Sequence, residues 1–158
     1  MIGGANGATL LMDYMVQLEA ALANSNAPYG SRGYIANTKS IAKLKTQIAS
    51  TGAYIWTQTG TGQRSGTPSD INGYSIRASN QARSNLTKGT SIGVCSEVFI
   101  GAWNELLIGQ WGVLEILVNP YDSTGFTTGD VLVRGMQTID IGVKHPASFA
   151  VMGDALTT

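Results

Sequence analysis

Residues 106–121 read Leu-Leu-Ile-Gly-Gln-Trp-Gly-Val-Leu-Glu-Ile-Leu-Val-Asn-Pro-Tyr, two apolar runs with a single charge, Glu115. From Ser91 onward the pattern is that of strands: Ile92, Val94, Val98 and Ile100 alternate loosely, and Leu106–Ile108 and Val113–Val118 follow. Asn119-Pro120-Tyr121-Asp122 is a turn signal. Val131–Val133 and Ile139–Val143 read as further strands, or as one long strand kinked or bulged at Gly135. His145-Pro146-Ala147-Ser148-Phe149 closes the last of them.

Upstream the period changes. Leu11, Met15, Leu18 and Leu22 recur at helical spacing, with Thr9 or Asp13 as the cap and Asn24–Pro28 as the stop. Tyr34-Ile35-Ala36 is a short strand, and Asn37 caps a second helix through Ile41, Leu44 and Ile48 that Gly52 ends. Tyr54-Ile55-Trp56 reads as another brief strand. Residues 57–91 turn polar and glycine-rich, interrupted by a strand in which Tyr74, Ile76 and Ala78 alternate with Ser75, Arg77 and Ser79. Residues 57–70 carry Gly60, Gly62 and Gly66 and few core candidates, so they form a variable loop, the most mobile part of the chain, with Arg64 as its first cleavage site. Helices early and strands late make the class α+β.

The chain has 158 residues, one domain's worth, and 43% of them are apolar. Its charged fraction is 13%, about half the usual ~25%, as in a chain that hides its surface against partners. Ten bases balance ten acids, which argues against a free-standing nucleic-acid binder. The balance is uneven along the chain: residues 1–31 carry a net −2, residues 32–88 +7 and residues 89–158 −5. Such asymmetry lets one part meet another, within or between chains. Nothing approaches the ~18 consecutive apolar residues of a membrane span, and Met1-Ile2-Gly3-Gly4 lacks the basic flank and long apolar run of a signal peptide.

Catalytic chemistry has few carriers. Cys95 is the single cysteine, set in an apolar strand where thiols are inert. His145 is the single histidine, so any two-histidine site is excluded; at a strand end before Pro146 it reads as a structural group that, with the proline, sets the end of the strand. Gly60–Gly66 has no Gly-Lys-Ser/Thr after it and reads as a loop, not a phosphate cradle. Lys39, Lys43 and Lys45 lie on the second helix, Lys39 and Lys43 at i,i+4, as a solvated face or a contact for an acidic neighbour or DNA, and Trp103 and Trp111 lie in apolar runs suited to core or interface packing.

These residues carry a resemblance. Leu106–Tyr121, preceded by Ile100-Gly101-Ala102-Trp103 and followed by Asp140, Val143, His145, Pro146 and Phe149 at an Asp-x-x-Val-x-His-Pro-x-x-Phe spacing, closely resembles the C-terminal half of tailed-phage major capsid proteins. Gly3–Ala8 with Leu18–Ala21, Tyr34–Asn37 with Leu44 and Gly52, and Ile71–Ile76 are similar to that family's units in the same order. Where many members have Asn-Pro, this chain has Asn37-Thr38. The resemblance implies the Hong Kong ninety-seven-like shell fold, shared with herpesvirus capsid floors: an axial domain plus part of the peripheral domain, spanning 1–158 as a single capsid-type domain. It also implies that the N-terminal arm, the extended loop and the spine helix lie upstream, so the chain looks like a C-terminal portion. Such a portion is expected to fold alone without building closed shells.

The implied role is a structural subunit of a phage or prophage icosahedral capsid, in the virion and, during assembly, in the bacterial cytoplasm. Its partners would be copies of itself in capsomers, with packaged DNA touched only non-specifically and no membrane. No catalytic, cofactor-binding or metal residue is implied. The candidate assembly residues are Lys39, Lys43, Lys45, Arg64, Arg77, Trp103, Trp111 and Glu105. Three other readings compete: an encapsulin-type nanocompartment shell, a small hydrolase using Asp140 and His145, and a glycan-binding module using exposed tryptophans.

Overall fold

The computed structural model describes residues 3–50, 52, 54, 70–123 and 125–157. The elements run β1 (Ala8–Thr9), α1 (Met12–Asn24), β2 (Arg32–Ala36), α2 (Thr38–Lys45), β3 (Asp70–Ile71), β4 (Tyr74–Ala78), β5 (Leu86–Lys88), β6 (Ser91–Ala102), β7 (Leu106–Asn119), α3 (Gly125–Thr128), β8 (Leu132–Val143) and β9 (Phe149–Leu156). The contacts gather into two compact units, Met1–Glu105 with His145–Thr158, and Leu106–Lys144. Of the expected loop 57–70 only Asp70 is described; Arg64, Ile55 and Trp56 lie outside the described residues.

The first unit is a mixed sheet in the order β1-β9-β6-β2-β4-β3, with β5 also on β6. Strand β6 is antiparallel both to β2, from Arg32↔Ala102 to Ala36↔Val98, and to β9, from Gly101↔Phe149 to Cys95↔Leu156. Its alternation is loose in sequence because Cys95–Val98 and Ile100–Ala102 are buried on both faces. The free thiol of Cys95 is inside, as its apolar neighbours imply. The strand reading stops one element early: β9 follows Phe149 and fills the place between β1 and β6. Gly153 and Asp154 disguise it. The Asp154 carboxylate is buried because it accepts the Gly3 N–H at 2.8 Å, a contact between chain ends that no local pattern announces.

Helix α1 covers the sheet with Met15, Leu18 and Leu22, all fully buried. Each such burial contributes roughly 1.5–3 kcal/mol. Leu11 departs from the expected stripe. It is the N-cap, in extended conformation (φ −118°, ψ 159°), so it turns outward at 44% exposure and Leu10 is buried instead. Neither Thr9 nor Asp13 caps the helix. Gln47, from beyond α2, does it from outside: its Oε1 accepts the Met12 N–H at 2.9 Å and its Nε2 donates to the Leu10 carbonyl at 2.5 Å.

Helix α2 starts as expected, with Asn37 Oδ1 accepting the Lys39 N–H at 3.0 Å. The same amide donates to the Ala82 carbonyl at 2.8 Å, tying the cap to the loop before β5. The helix ends at Lys45, earlier than Gly52. Thr46 donates its hydroxyl to the Lys43 carbonyl at 2.9 Å, and Gln47 is drawn off to α1. Ile48 therefore lies outside the helix at 54% exposure, bridged to Tyr54, and Gly52 closes a separate turn at φ +82°.

Tyr34 on β2 is the largest fully buried side chain. Its hydroxyl donates to the Met15 carbonyl at 3.0 Å, fastening α1 to the sheet, and its ring meets Tyr74 edge-on at 6.4 Å. Burial pushes the phenol up to about 12, outweighing the opposing hydrogen bond with Asn72. A raised folded-state value means that the native state keeps its proton while the unfolded chain, with tyrosine near 10, loses it. The stabilisation is complete below about pH 10 and disappears as pH rises to about 12. The expected loss is about 2–3 kcal/mol. Denaturant melts from pH 9 to 12 check it: Tyr34→Phe should flatten that part of the profile, and an unchanged slope would remove Tyr34 as its source.

The second unit is a two-stranded antiparallel ribbon, β7 with β8, registered from Leu106↔Val143 to Asn119↔Leu132. The long strand expected over 131–143 is there. Gly135, however, pairs regularly with Ile116, and the irregularity falls on the partner strand between Trp111 and Glu115, where Gly112 has φ +74°. Only glycine takes that conformation without strain. At the turn, Asn119 Oδ1 accepts the Tyr121 N–H at 3.0 Å.

Candidate functional site

The ribbon is the main candidate surface. Successive side chains of a strand point to opposite faces, and the register sorts them. One face carries Leu106, Ile108, Ile116 and Val118 from β7 and Val133, Ile139, Ile141 and Val143 from β8, with no charged residue. The other is mixed: Glu115, Arg134, Asp140, Thr138, Asn119 and Trp111 stand among Leu107, Leu117, Leu132 and Met136. The bulge adds two residues to β7, an even number, so the charged side chains stay on one side along the strand's whole length and the opposite face stays uncharged. Yet Ile108, Ile116, Ile139 and Ile141 are all 59–70% exposed. An uncharged aliphatic face of this length is a candidate interaction surface. Sequence reading passed over these residues; reading side-chain parity across the two strands would have found them.

The candidates named from sequence separate. Trp111 is 59% exposed, on the polar face, its ring over Gly109. Trp103 is a structural residue: its indole N–H donates to the Gly33 carbonyl at 3.0 Å and its ring meets Phe149 edge-on at 5.6 Å. Lys39 and Lys45 are exposed on α2 and Lys43 is half-buried, while Ser40, Ile41 and Leu44 form the buried face. Arg77 is exposed on β4. Two other bases of the 32–88 block have partners within the chain. Arg83 pairs with the buried Glu97 at 2.5 Å. Arg32 stacks on Tyr29 at 3.8 Å and donates to the carbonyls of Ala27 and Pro28.

Glu105 and His145 meet. The imidazole Nδ1 lies 2.6 Å from Glu105 Oε2, with the carboxylate side chain 11% exposed and the imidazole 61%. A hydrolase reading paired His145 with Asp140, but Asp140 stands in β8 opposite Gly109 and its Oδ1 accepts the Ile141 N–H at 2.8 Å. Among the described residues no group of three metal-ligating side chains forms, and no helix is long and apolar enough to cross a membrane.

A family model described as the phage capsid family matches residues 2–154. The chain belongs to the phage capsid family. No curated protein matches it in sequence. Among solved structures, this phage capsid family chain is similar to the capsid of an empty GTA particle (18% identity, TM-score 0.70, covering 98% of this chain and 49% of that one). It is also similar to a structure of Mycobacterium phage Che8 (17%, TM-score 0.65, 89% and 47%). A third is the SrpI encapsulin complex of Synechococcus elongatus (14%, TM-score 0.60, 98% and 52%). The capsid-family chain therefore spans about half the length of the structures it matches. The shared fold is the shell-forming α+β one that the sequence motifs implied.

Proposed function

We propose that this chain is a structural part of a phage or prophage capsid subunit that joins copies of itself into capsomers around DNA, without enzymatic activity. The observation that carries the reading is the uncharged aliphatic face of the ribbon in a chain of the capsid family, a surface suited to packing rather than to chemistry. The decisive experiment is electron microscopy of the complete gene product: closed shells support the proposal, and a uniformly monomeric product refutes it. An encapsulin-type shell shares the fold, and particle contents separate the two: packaged DNA in one case, an enzyme cargo in the other. The 158-residue chain by itself is proposed to fold and to remain monomeric or form small oligomers, because the capsomer contacts alone specify no curvature. Light scattering of the purified chain tests this, and uniform closed particles would overturn it.

Contacts between subunits are proposed to use the charge asymmetry. Arg83 pairs with Glu97 and Arg32 is satisfied internally; among the other described bases of this block Lys39, Lys45 and Arg77 are exposed and Lys43 and Lys88 half-buried. A ring of subunits needs one head-to-tail contact repeated, and complementary charges set its register and rate more than its affinity. Exposed charges are screened within ~8 Å at physiological salt. Capsomer formation should therefore slow as salt rises, and a Lys39/Lys43/Lys45→Glu triple variant should assemble poorly. Salt-independent assembly, followed by scattering, would leave the basic helix as a solvated or DNA-facing surface.

A further inference from the structure

Strand β8 is paired along one side. Among the described residues its neighbour is β7, in a sheet of two strands, and every residue of Leu132–Val143 is exposed. A two-stranded ribbon by itself is marginally stable in water. A long edge of unpaired N–H and C=O groups is a template for another strand, and proteins commonly blunt it with lysine, proline or a bulge. The edge of β7 carries such a device, since the irregularity between Trp111 and Glu115 lies on that strand. The edge of β8 carries none: Leu132–Val143 holds no lysine and no proline, and the inserted residues are not its own. The Ile141 N–H is turned to this open edge, where the neighbouring Asp140 Oδ1 accepts it at 2.8 Å.

Two charges stand on β8, Arg134 and Asp140, each three residues from Gln137 and on the same face. We propose that two copies of this chain join edge to edge through β8, antiparallel about a two-fold axis at Gln137, so that the two ribbons make one four-stranded sheet. In that register each Arg134 stands opposite the second copy's Asp140, and the ion pair forms twice by symmetry. Val133 faces Ile141 and Gly135 faces Ile139, so the uncharged faces run on as one. The Ile141 N–H passes to the second copy's Val133 carbonyl and releases the Asp140 carboxylate for Arg134. A slip of one residue would join the uncharged face to the charged one. A slip of two would keep the faces but part the ions, setting Arg134 opposite Gly142. Arg134 already lies 3.8 Å from Glu115, an exposed pair, and its five N–H donors serve both carboxylates. Exposed ion pairs contribute little affinity. The backbone ladder and the joined aliphatic face hold the dimer, and the charges choose its register. The pairing locates one self-contact within the capsid reading and rests on that reading only for the second copy.

The test is analytical ultracentrifugation of the purified 158-residue chain over a range of concentrations, with cross-linking at the axis. The parent chain should pass from monomer to dimer. Arg134→Asp and Asp140→Arg should each weaken the dimer about tenfold, because like charges then face each other twice. The double variant Arg134→Asp/Asp140→Arg should recover it. Gln137→Cys should form a disulfide-linked dimer on mild oxidation, since residues on the axis approach to about 5.5 Å between Cα atoms, within disulfide reach. Val133→Cys, far from the axis, should not; Cys95 is buried and does not compete. Should a charge variant fold poorly, the two cysteine variants decide alone. A monomer at every concentration, open-ended aggregates without a discrete dimer, a dimer indifferent to both charge reversals, or equal cross-linking at 133 and 137 would each overturn the pairing. Shell formation by the complete gene product would be untouched by that failure, and its own failure would leave the dimer standing.

Discussion

Aspartate at both Ile116 and Val118 is expected to abolish incorporation of the complete gene product into particles, whereas Leu117→Asp, one residue away, should be tolerated. The difference is a matter of face. Ile116 and Val118 share the uncharged side of the ribbon, where covering a carboxylate without a partner costs several kcal/mol. Leu117 stands opposite Arg134, which offers the new carboxylate a counter-charge. All three side chains are 46–60% exposed, so none of the substitutions should unfold the chain by itself. Thermal melts of the purified variants, with particle yield by microscopy, separate assembly from stability. Equal particle yields from the double variant and the parent would mean that the aliphatic face packs against nothing.

The second large effect is expected inside the first unit. A Cβ added at Gly101 would come within 2.2 Å of the Phe149 ring, closer than atoms can approach, so Gly101→Ala must displace that ring. The ring also supports Trp103, so its movement should disturb the turn that presents Glu105. Overpacking of this kind costs about 1–3 kcal/mol, and Gly101→Val should cost more. Phe149→Ala destabilises by leaving a cavity, yet combined with Gly101→Ala it should recover part of the loss, because the clash and the cavity occupy the same space. Chemical denaturation of the four proteins measures this coupling, and strictly additive losses would contradict the geometry.

Much of the fold was legible in the sequence because local physics decided it. The stripe Met15, Leu18, Leu22 could only be one helix face. Asn37 before a helix supplied its own cap, and Asn119-Pro120 placed the ribbon's turn. The order of short motifs from Gly3 to Phe149 pointed to the capsid fold before any coordinate did. What failed depended on partners distant in the chain. Gln47 caps α1 from a residue 35 positions away, which shortened α2 and exposed Ile48. Strand β9 is a strand because β6 and β1 pair with it, and its Asp154 is tolerated inside because Gly3 donates to it.

The candidate surface divides in the same way. Composition and period by themselves determined that the second half of the chain forms long apolar strands with little charge. They did not determine which residues share a side, because that follows from the β7–β8 register and from a bulge at Gly112 rather than at Gly135. Nor did they give His145 its partner: Asp140 is nearer in sequence, but strand pairing brings back the chain end that carries Glu105, 40 residues earlier. Local patterns encode conformations that a residue and its immediate neighbours can satisfy. Pairings across the sheet, and the faces they create, exist only once the chain has folded back on itself.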